Sequence, residues 1–411
     1  MSELHISAPA REPVSATRKA FFIAGCSLAS WAPLIPLTKQ RLQIENGAMG
    51  AVLLAFGLGS LLMMPISGML AARYGCRRIF ALAVLLVLAT LPALVSLNAA
   101  LPLAGVLFLF GAGIGAMDVV VNIHAVATEK RVQRPIMSGF HALFSLGGIV
   151  GAGVVSALLA LGATPLFVVV LELLFIGLLT LSTWNGLSNE AERGDTPFFV
   201  LPHGSVIVLG FLCCVAYVME GSMLDWSGIL LSSQRDLDVN RAGLGYTLFA
   251  VTMTTGRFFG DKVVGLFGTK RVFIGSALLA TSGFVLLVSS SSLWMLAAAF
   301  LLIGLGVANI APMLFTASGN QSAMPDSHAV AAVSTLGYSG ILIGPAMIGG
   351  LAHALSLSPA HSSASRSCPR RSFSARGRSV SIDRSAPRVM RRTACGLQRI
   401  RFRLRFASRP A

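Results

Sequence analysis

Gly68-Met69-Leu70-Ala71-Ala72-Arg73-Tyr74-Gly75-Cys76-Arg77-Arg78 is the stretch whose reading decides the fold. It closes one apolar run, residues 47–71, and opens another, residues 79–97. Each run is long enough to cross a hydrocarbon core of about 30 Å as a helix. Glycine allows the tight turn between them, and Arg near a helix end can bind its last carbonyls. Two readings of Arg77 and Arg78 stand side by side. They latch one conformation and release in another, or they obey the bias of basic residues toward the cytoplasmic face.

The same punctuation returns further along the chain. Gly268-Thr269-Lys270-Arg271, preceded by Gly260-Asp261, matches Gly75 to Arg78 at an offset of 193 residues. Gly113-Ile114-Gly115-Ala116-Met117-Asp118 matches Gly304-Leu305-Gly306-Val307-Ala308-Asn309 at 191, and Gly151 matches Gly344 at 193. Three matches nearly in register predict two halves repeated in parallel. Windows of about 19 residues give eleven spans: 20–37, 47–71, 79–97, 101–126, 137–161, 165–184, 205–231, 242–264, 272–289, 293–316 and 330–351.

Composition agrees. Of 411 residues 55% are hydrophobic and 12% charged, against about 25% charged in a soluble domain. There are too few charges to coat a water-soluble globule. The net charge of +16 is local: residues 358–411 hold fourteen Arg and one acid, Asp383, leaving the rest about +3. Nucleic acid is therefore not the expected partner. The six cysteines form neither a disulfide framework nor a metal-ligand spacing, and no metal or cofactor is expected. Residues 1–19 lack the apolar core of a cleavable signal, so the first span is expected to serve as its own signal.

With the amino terminus cytoplasmic, the inside segments hold Arg11, Arg18, Lys19, Arg73, Arg77, Arg78, Lys130, Arg131, Arg134, Arg193, Arg257, Lys262, Lys270 and Arg271. The outside loops hold Lys39, Arg41, Arg235 and Arg241. That asymmetry predicts an inner-membrane protein with its amino terminus inside.

These features resemble the major facilitator superfamily over residues 19–355. Gly68 to Arg78 is similar to that family's loop between helices two and three, although Ala72 stands where an Asp is usual; Asp261 keeps an acid in the second half. The resemblance implies an all-α membrane protein of two six-helix halves. Its cytoplasmic gating loops would carry Gly68, Arg73, Gly75, Arg77, Arg78, Asp261, Gly268, Lys270 and Arg271. Trp31 to Pro36, Asp118 to Asn122, His141 with Phe144 to Gly148, Glu220 to Ser227 and Gly337 to Pro345 are similar to the fucose-permease-related branch, in particular its YbjJ-type bacterial members. The expected divisions are a cytoplasmic segment at 1–19, a six-helix half at 20–184, a loop at 185–204 with Glu190, Glu192, Arg193 and Asp195, a half of five spans at 205–355, and a tail at 356–411.

An ionisable group within a span costs at least about 2.5–3.5 kcal/mol and is a functional candidate by default. Asp118 is in the middle of the fourth span with Asn122 one turn on; it lines a cavity and binds a proton, or it ties two helices. Glu220 is the deeper acid of the seventh span. Asp225 and Trp226, nearer the outside, are an outer gate or an interfacial anchor. His141 titrates in a cavity or is a satisfied core histidine, His124 is interfacial, and Glu172 faces a neighbouring helix. Trp31, Asn122, Trp226, Asn309, Gln321 and Tyr338 offer stacking faces and neutral hydrogen bonds that suit a sugar-like solute. Pro33, Pro36, Pro65, Pro312 and Pro345 are expected to interrupt helices.

The expected function is secondary transport of a small polar solute by a monomer, coupled to protons, without enzymatic chemistry. A drug or metabolite exporter of the same fold and a non-transporting sensor are the alternatives. Two six-helix halves call for a twelfth span, and residues 358–411 offer none. A frame-shifted segment, a disordered basic tail and a nucleic-acid-binding arm are the readings of that tail.

Overall fold

The computed structural model describes residues 8–188, 200–234, 243–290 and 292–356. The tail, Arg235, Arg241 and the four charged residues of the central loop lie outside the described residues. The chain divides into two units, and everything below concerns the first, Met1–Leu355.

The described elements are helices α1 (Ala8–Ala29), α2 (Ile35–Leu42), α3 (Asn46–Tyr74), α4 (Cys76–Ser96), α5 (Ala100–Val132), α6 (Met137–Ala160) and α7 (Pro165–Leu181). After the central loop come α8 (Ser205–Ile229), α9 (Leu244–Phe267), α10 (Thr269–Ser289), α11 (Leu293–Val307), α12 (Ile310–Gly319) and α13 (Asp326–Ser356). Among the described residues nine stretches are helical, long and apolar enough to cross a membrane. Two of these join broken helices, α1 with α2 and α11 with α12. With the shorter α7, and with α9, which carries Arg257, Asp261 and Lys262, they put a helix on each of the eleven expected spans.

Lipid is the solvent these surfaces suit. Leu54, Leu58, Leu62 and Ile66 recur every fourth residue along α3 and are all exposed, a single stripe on one helix face. The first helix departs from expectation. It begins at Ala8 rather than near residue 20, and Val14, Ala16 and Thr17 are buried. The later part of the segment expected on the cytoplasmic side is thus helical and packs into the bundle.

Of the expected helix breaks, Pro33 and Pro36 fall at the α1–α2 break, and Pro312 follows the α11–α12 break, while α3 runs through Pro65 and α13 through Pro345. The Pro312 break has a local cause. Proline has no N–H, so the carbonyl four residues earlier loses its helical donor. That carbonyl is Ala308, the residue after α11 ends.

The repeat is visible in packing. Gly111 lies against the Phe56 carbonyl and Gly304 against the Phe249 carbonyl; Gly113 meets Val87 and Gly306 meets Ala280. Every partner in one pair is 193 residues from its counterpart. The expected match at 191 is thus two residues out, because alternate glycines in both helices let the alignment slip. Asn309 corresponds to Ala116, and Asp118 corresponds to Ala311 rather than to Asn309. The joints repeat as well: Gly75 (φ 84°) links α3 to α4 and Gly268 (φ 79°) links α9 to α10. Only glycine takes that backbone without strain.

A Cβ at position 111 would collide with the backbone oxygen of Phe56, which cannot move alone. Gly111→Ala is expected to lower stability by about 1–3 kcal/mol. Gly105→Ala, in the same helix with open space around it, is expected to be neutral or to gain up to about 1 kcal/mol. Thermal unfolding in detergent compares the two.

Candidate functional site

Arg257 lies almost midway along α9, 13 residues from its start and 10 from its end, so its placement in a cytoplasmic segment is overturned. Three groups from three other parts of the bundle receive its guanidinium. Nε donates to the Ala308 carbonyl at 3.2 Å, the one that Pro312 leaves without a helical donor. Nη1 donates to Ser145 Oγ of α6 at 2.8 Å, and Nη2 to Glu220 Oε2 of α8 at 3.3 Å. The Arg257 side chain is 5% exposed and that of Glu220 28%. The pair therefore has a sealed cation and an anion that still opens on space. The sequence carried the signal, an Arg inside an apolar run, but a basic residue between two Gly-rich stretches reads equally as the end of a span.

Asp118 is on α5 of the first half, partly buried. It lies within electrostatic range of Cys213 and Tyr217 on α8 and Tyr338 on α13. Glu220 and Arg257 act on the same Tyr217. The acid of the first half and the ion pair of the second thus act on one phenol, Tyr217. Asn122 donates to the backbone carbonyl of Asp118 at 2.9 Å and leaves its own Oδ1 buried without a donor. Tyr338 lies beside Ser60 of α3. Tyr217 and Ser145, like Arg257, belong to this cluster and were not singled out in the sequence.

The other expected cavity residues divide. His141 is buried with its ring between Phe21 of α1 and Phe315 of α12, centroids 5.2 and 5.5 Å away, and its Nε2 has no partner. Asn309 donates to the Gly256 carbonyl at 3.2 Å and its Oδ1 is unpaired. Trp31 is buried at the α1–α2 break, its indole N–H without an acceptor. Gln321 does not join them: its amide closes the turn before α13 on the backbone of Ala323 and Met324. Asp225 is exposed near the end of α8, and Trp226 lies against Gly349 of α13. His124 is a satisfied core residue rather than an interfacial one. It accepts from the Ser188 N–H at Nε2 (3.0 Å), so Nδ1 carries the proton toward Thr17 Oγ1 (2.8 Å).

At the end of the bundle that the charge bias assigns to the cytoplasm, two carboxylates cap α6. Asp261 of α9 accepts from the Ser138 and Gly139 N–H groups, both at 2.8 Å. Glu129 of α5, unnoticed in the sequence, accepts from Ile136 and Met137 at 2.9 and 3.2 Å. Its other oxygen accepts from Thr316 of α12 at 2.6 Å. Unsatisfied N–H groups at a helix start are a natural carboxylate site. Lys130 pairs with Asp326 at 2.5 Å, so four hydrogen bonds join the halves here. At the position corresponding to Asp261, Gly68 brings α3 directly onto Ala331 of α13. Arg77 binds the carbonyls of Leu187 and Asn185 (2.8 and 3.2 Å), both at the end of its own half. Arg73 lies over the Tyr74 ring, and Arg78, Lys270 and Arg271 are exposed.

Two repeated helical halves enclosing a charged cluster and joined at one end define a polytopic membrane protein of the transporter kind. The family model of the Major Facilitator Superfamily matches residues 20–233. An uncharacterized MFS-type transporter of Yersinia pestis is 46% identical over 84% of this chain and 90% of its own length. Membrane protein MosC of Rhizobium meliloti is 29% identical over 87% and 88%. The chain belongs to the major facilitator superfamily. Among solved structures, the E. coli fucose:proton symporter FucP shares the fold, with TM-score 0.66 and 14% identity over 84% of this chain and 93% of that one. The human organic anion transporter MFSD10 also has TM-score 0.66, with 15% identity over 84% and 94%.

Proposed function

We propose that this protein is a proton-coupled secondary transporter of a small, sugar-like polar solute, working by alternating access between its halves. The observation that carries the reading is that Asp118 of the first half and the Glu220–Arg257 pair of the second both act on Tyr217, with Tyr338 beside Asp118. Asp118 has no ion partner among the described residues and is the proton site. Glu220 and Arg257 offer an acceptor and donors to hydroxyl groups, and the phenols add faces and neutral hydrogen bonds. Asn122, Asn309, His141 and Trp31 each hold a buried polar atom with no partner among the described residues and in this reading shape the wall of the solute cavity. Asp225 and Trp226 form the outer gate. Asp261, with Gly68, Gly75, Gly268 and the basic residues Arg73, Arg77, Arg78, Lys270 and Arg271, forms the cytoplasmic gate. The protein acts as a monomer in the inner membrane with its amino terminus inside. The fold shared with a fucose:proton symporter supports this reading.

Uptake of candidate sugars into proteoliposomes, with and without an inward proton gradient, tests it. The gradient is expected to accelerate wild-type uptake about tenfold, and Asp118→Asn to erase that difference. Gradient-driven uptake that survives in Asp118→Asn refutes the proton role of this residue.

A further inference from the structure

A second carboxyl is buried away from the central cluster. α7 turns Val168, Val169, Glu172 and Ile176 inward and leaves Leu171, Leu174, Phe175 and Leu178 on its outer face. The spacing of three and four residues places Glu172 in the middle of the inward stripe. The residue is 8% exposed, and neither carboxyl oxygen has a hydrogen-bond partner among the described residues. The hydroxyl beside it, Ser30, donates to the Cys26 carbonyl at 2.6 Å instead.

In front of that carboxyl is a cavity of about 300 Å³ among α1, α6 and α7, a volume at the small end of ligand sites. Apart from Cys26 and Glu172, Val, Leu, Gly and Phe side chains form its wall. Val154, Leu171 and Phe175 of that wall are exposed on the bundle's outer surface, so the cavity opens on the lipid side. Among the described residues no Lys, Arg or His lines it. A carboxyl in such a place stays neutral until a cation arrives to pair with it, and apolar walls select what can bring that cation. An ammonium on a hydrocarbon body matches both features: it has three donors and no acceptor, and charge-assisted bonds to a carboxylate are the stronger kind.

We infer that this cavity is a lipid-side binding site for a single-chain hydrophobic primary amine, as distinct from a bilayer phospholipid, whose ammonium is received by Glu172 and whose chain fills the groove between α6 and α7. The site lies wholly in the first half and does not depend on the central cluster or on the transported solute.

The test uses the full chain in phosphatidylcholine nanodiscs, with dodecylamine as the probe. Dicyclohexylcarbodiimide, which partitions into apolar phases and modifies carboxyls there, reports Glu172 by peptide mass. Glu172 is expected to be labelled, and dodecylamine to suppress labelling about tenfold while dodecanol and dodecyl sulfate do not. Saturable binding of tritiated dodecylamine is expected to disappear in Glu172→Gln and in Val154→Trp, which blocks the mouth without touching the carboxyl. The inference is overturned if Glu172 is not labelled, if dodecanol protects as well as the amine, or if Glu172→Gln binds the amine unchanged. Protection by phosphatidylethanolamine nanodiscs alone, equal to that by dodecylamine, also overturns it, because the occupant is then a bilayer lipid.

Discussion

Arg257→Ala is expected to reduce uptake more than about 100-fold, a loss of about 2.8 kcal/mol in the rate-limiting step. Three partners lose their donor at once: the Ala308 carbonyl, the Ser145 hydroxyl and the Glu220 carboxylate. Breaking a buried ion pair from one side costs about 3–5 kcal/mol. The partial exposure of Glu220 brings that toward the lower figure, since water reaches the stranded anion. Arg257→Lys is expected to recover only part of the activity, because an ammonium lacks the planar fork that meets three acceptors in different directions. Stability and transport separate in Arg257→Ala/Pro312→Ala. Alanine at 312 restores a backbone N–H to the Ala308 carbonyl, so the melting temperature is expected to rise relative to Arg257→Ala while uptake stays lost. Recovery of uptake together with stability would show that Arg257 only supports the fold.

Asp261→Ala acts at the other end. Its carboxylate holds two N–H groups of α6 across the seam between the halves. A hydrogen bond to a charged group contributes about 1.5–3 kcal/mol, so losing both shifts the balance against this closed arrangement by roughly 100-fold or more. Met313 lines the cavity at that end and is buried. Met313→Cys, in a chain whose six native cysteines are replaced, therefore reports opening through its reaction with a membrane-impermeant maleimide. Labelling from the cytoplasmic side is expected to quicken about as much as the balance shifts. The same change at Glu129 leaves Asp261 in place and is expected to give a smaller effect. Equal labelling with and without Asp261 removes it from the gate.

Much of this architecture was legible in the sequence because lipid imposes a simple code. Apolar length marks spans, and the positive-φ glycines 75 and 268 punctuate them. Asp118 and Glu220 stood out because an acid within an apolar run has few innocent explanations. What stayed hidden depends on contacts between distant segments. Arg257 looked peripheral because its three partners are 37, 51 and 112 residues away. Glu129 looked like one more charge at a helix end, and the two hydrogen bonds it accepts at the start of α6 need the turn between α5 and α6 to be folded first. Gln321 looked like a solute ligand because composition does not reveal that a side chain closes its own loop. The two-residue slip at Asn309 came from glycines alternating in both helices, a pattern that fits at more than one shift.

The joint between α11 and α12 has a mechanical meaning. A proline break is ordinarily a passive soft spot, bent by whatever pushes on it. Here the stiffness of the joint is supplied from another helix, through one guanidinium that also faces Ser145 and Glu220. A molecule that drew Arg257 toward itself would free the Ala308 carbonyl in the same movement, and an event at the centre of the bundle would then become a change in the flexural rigidity of a broken helix.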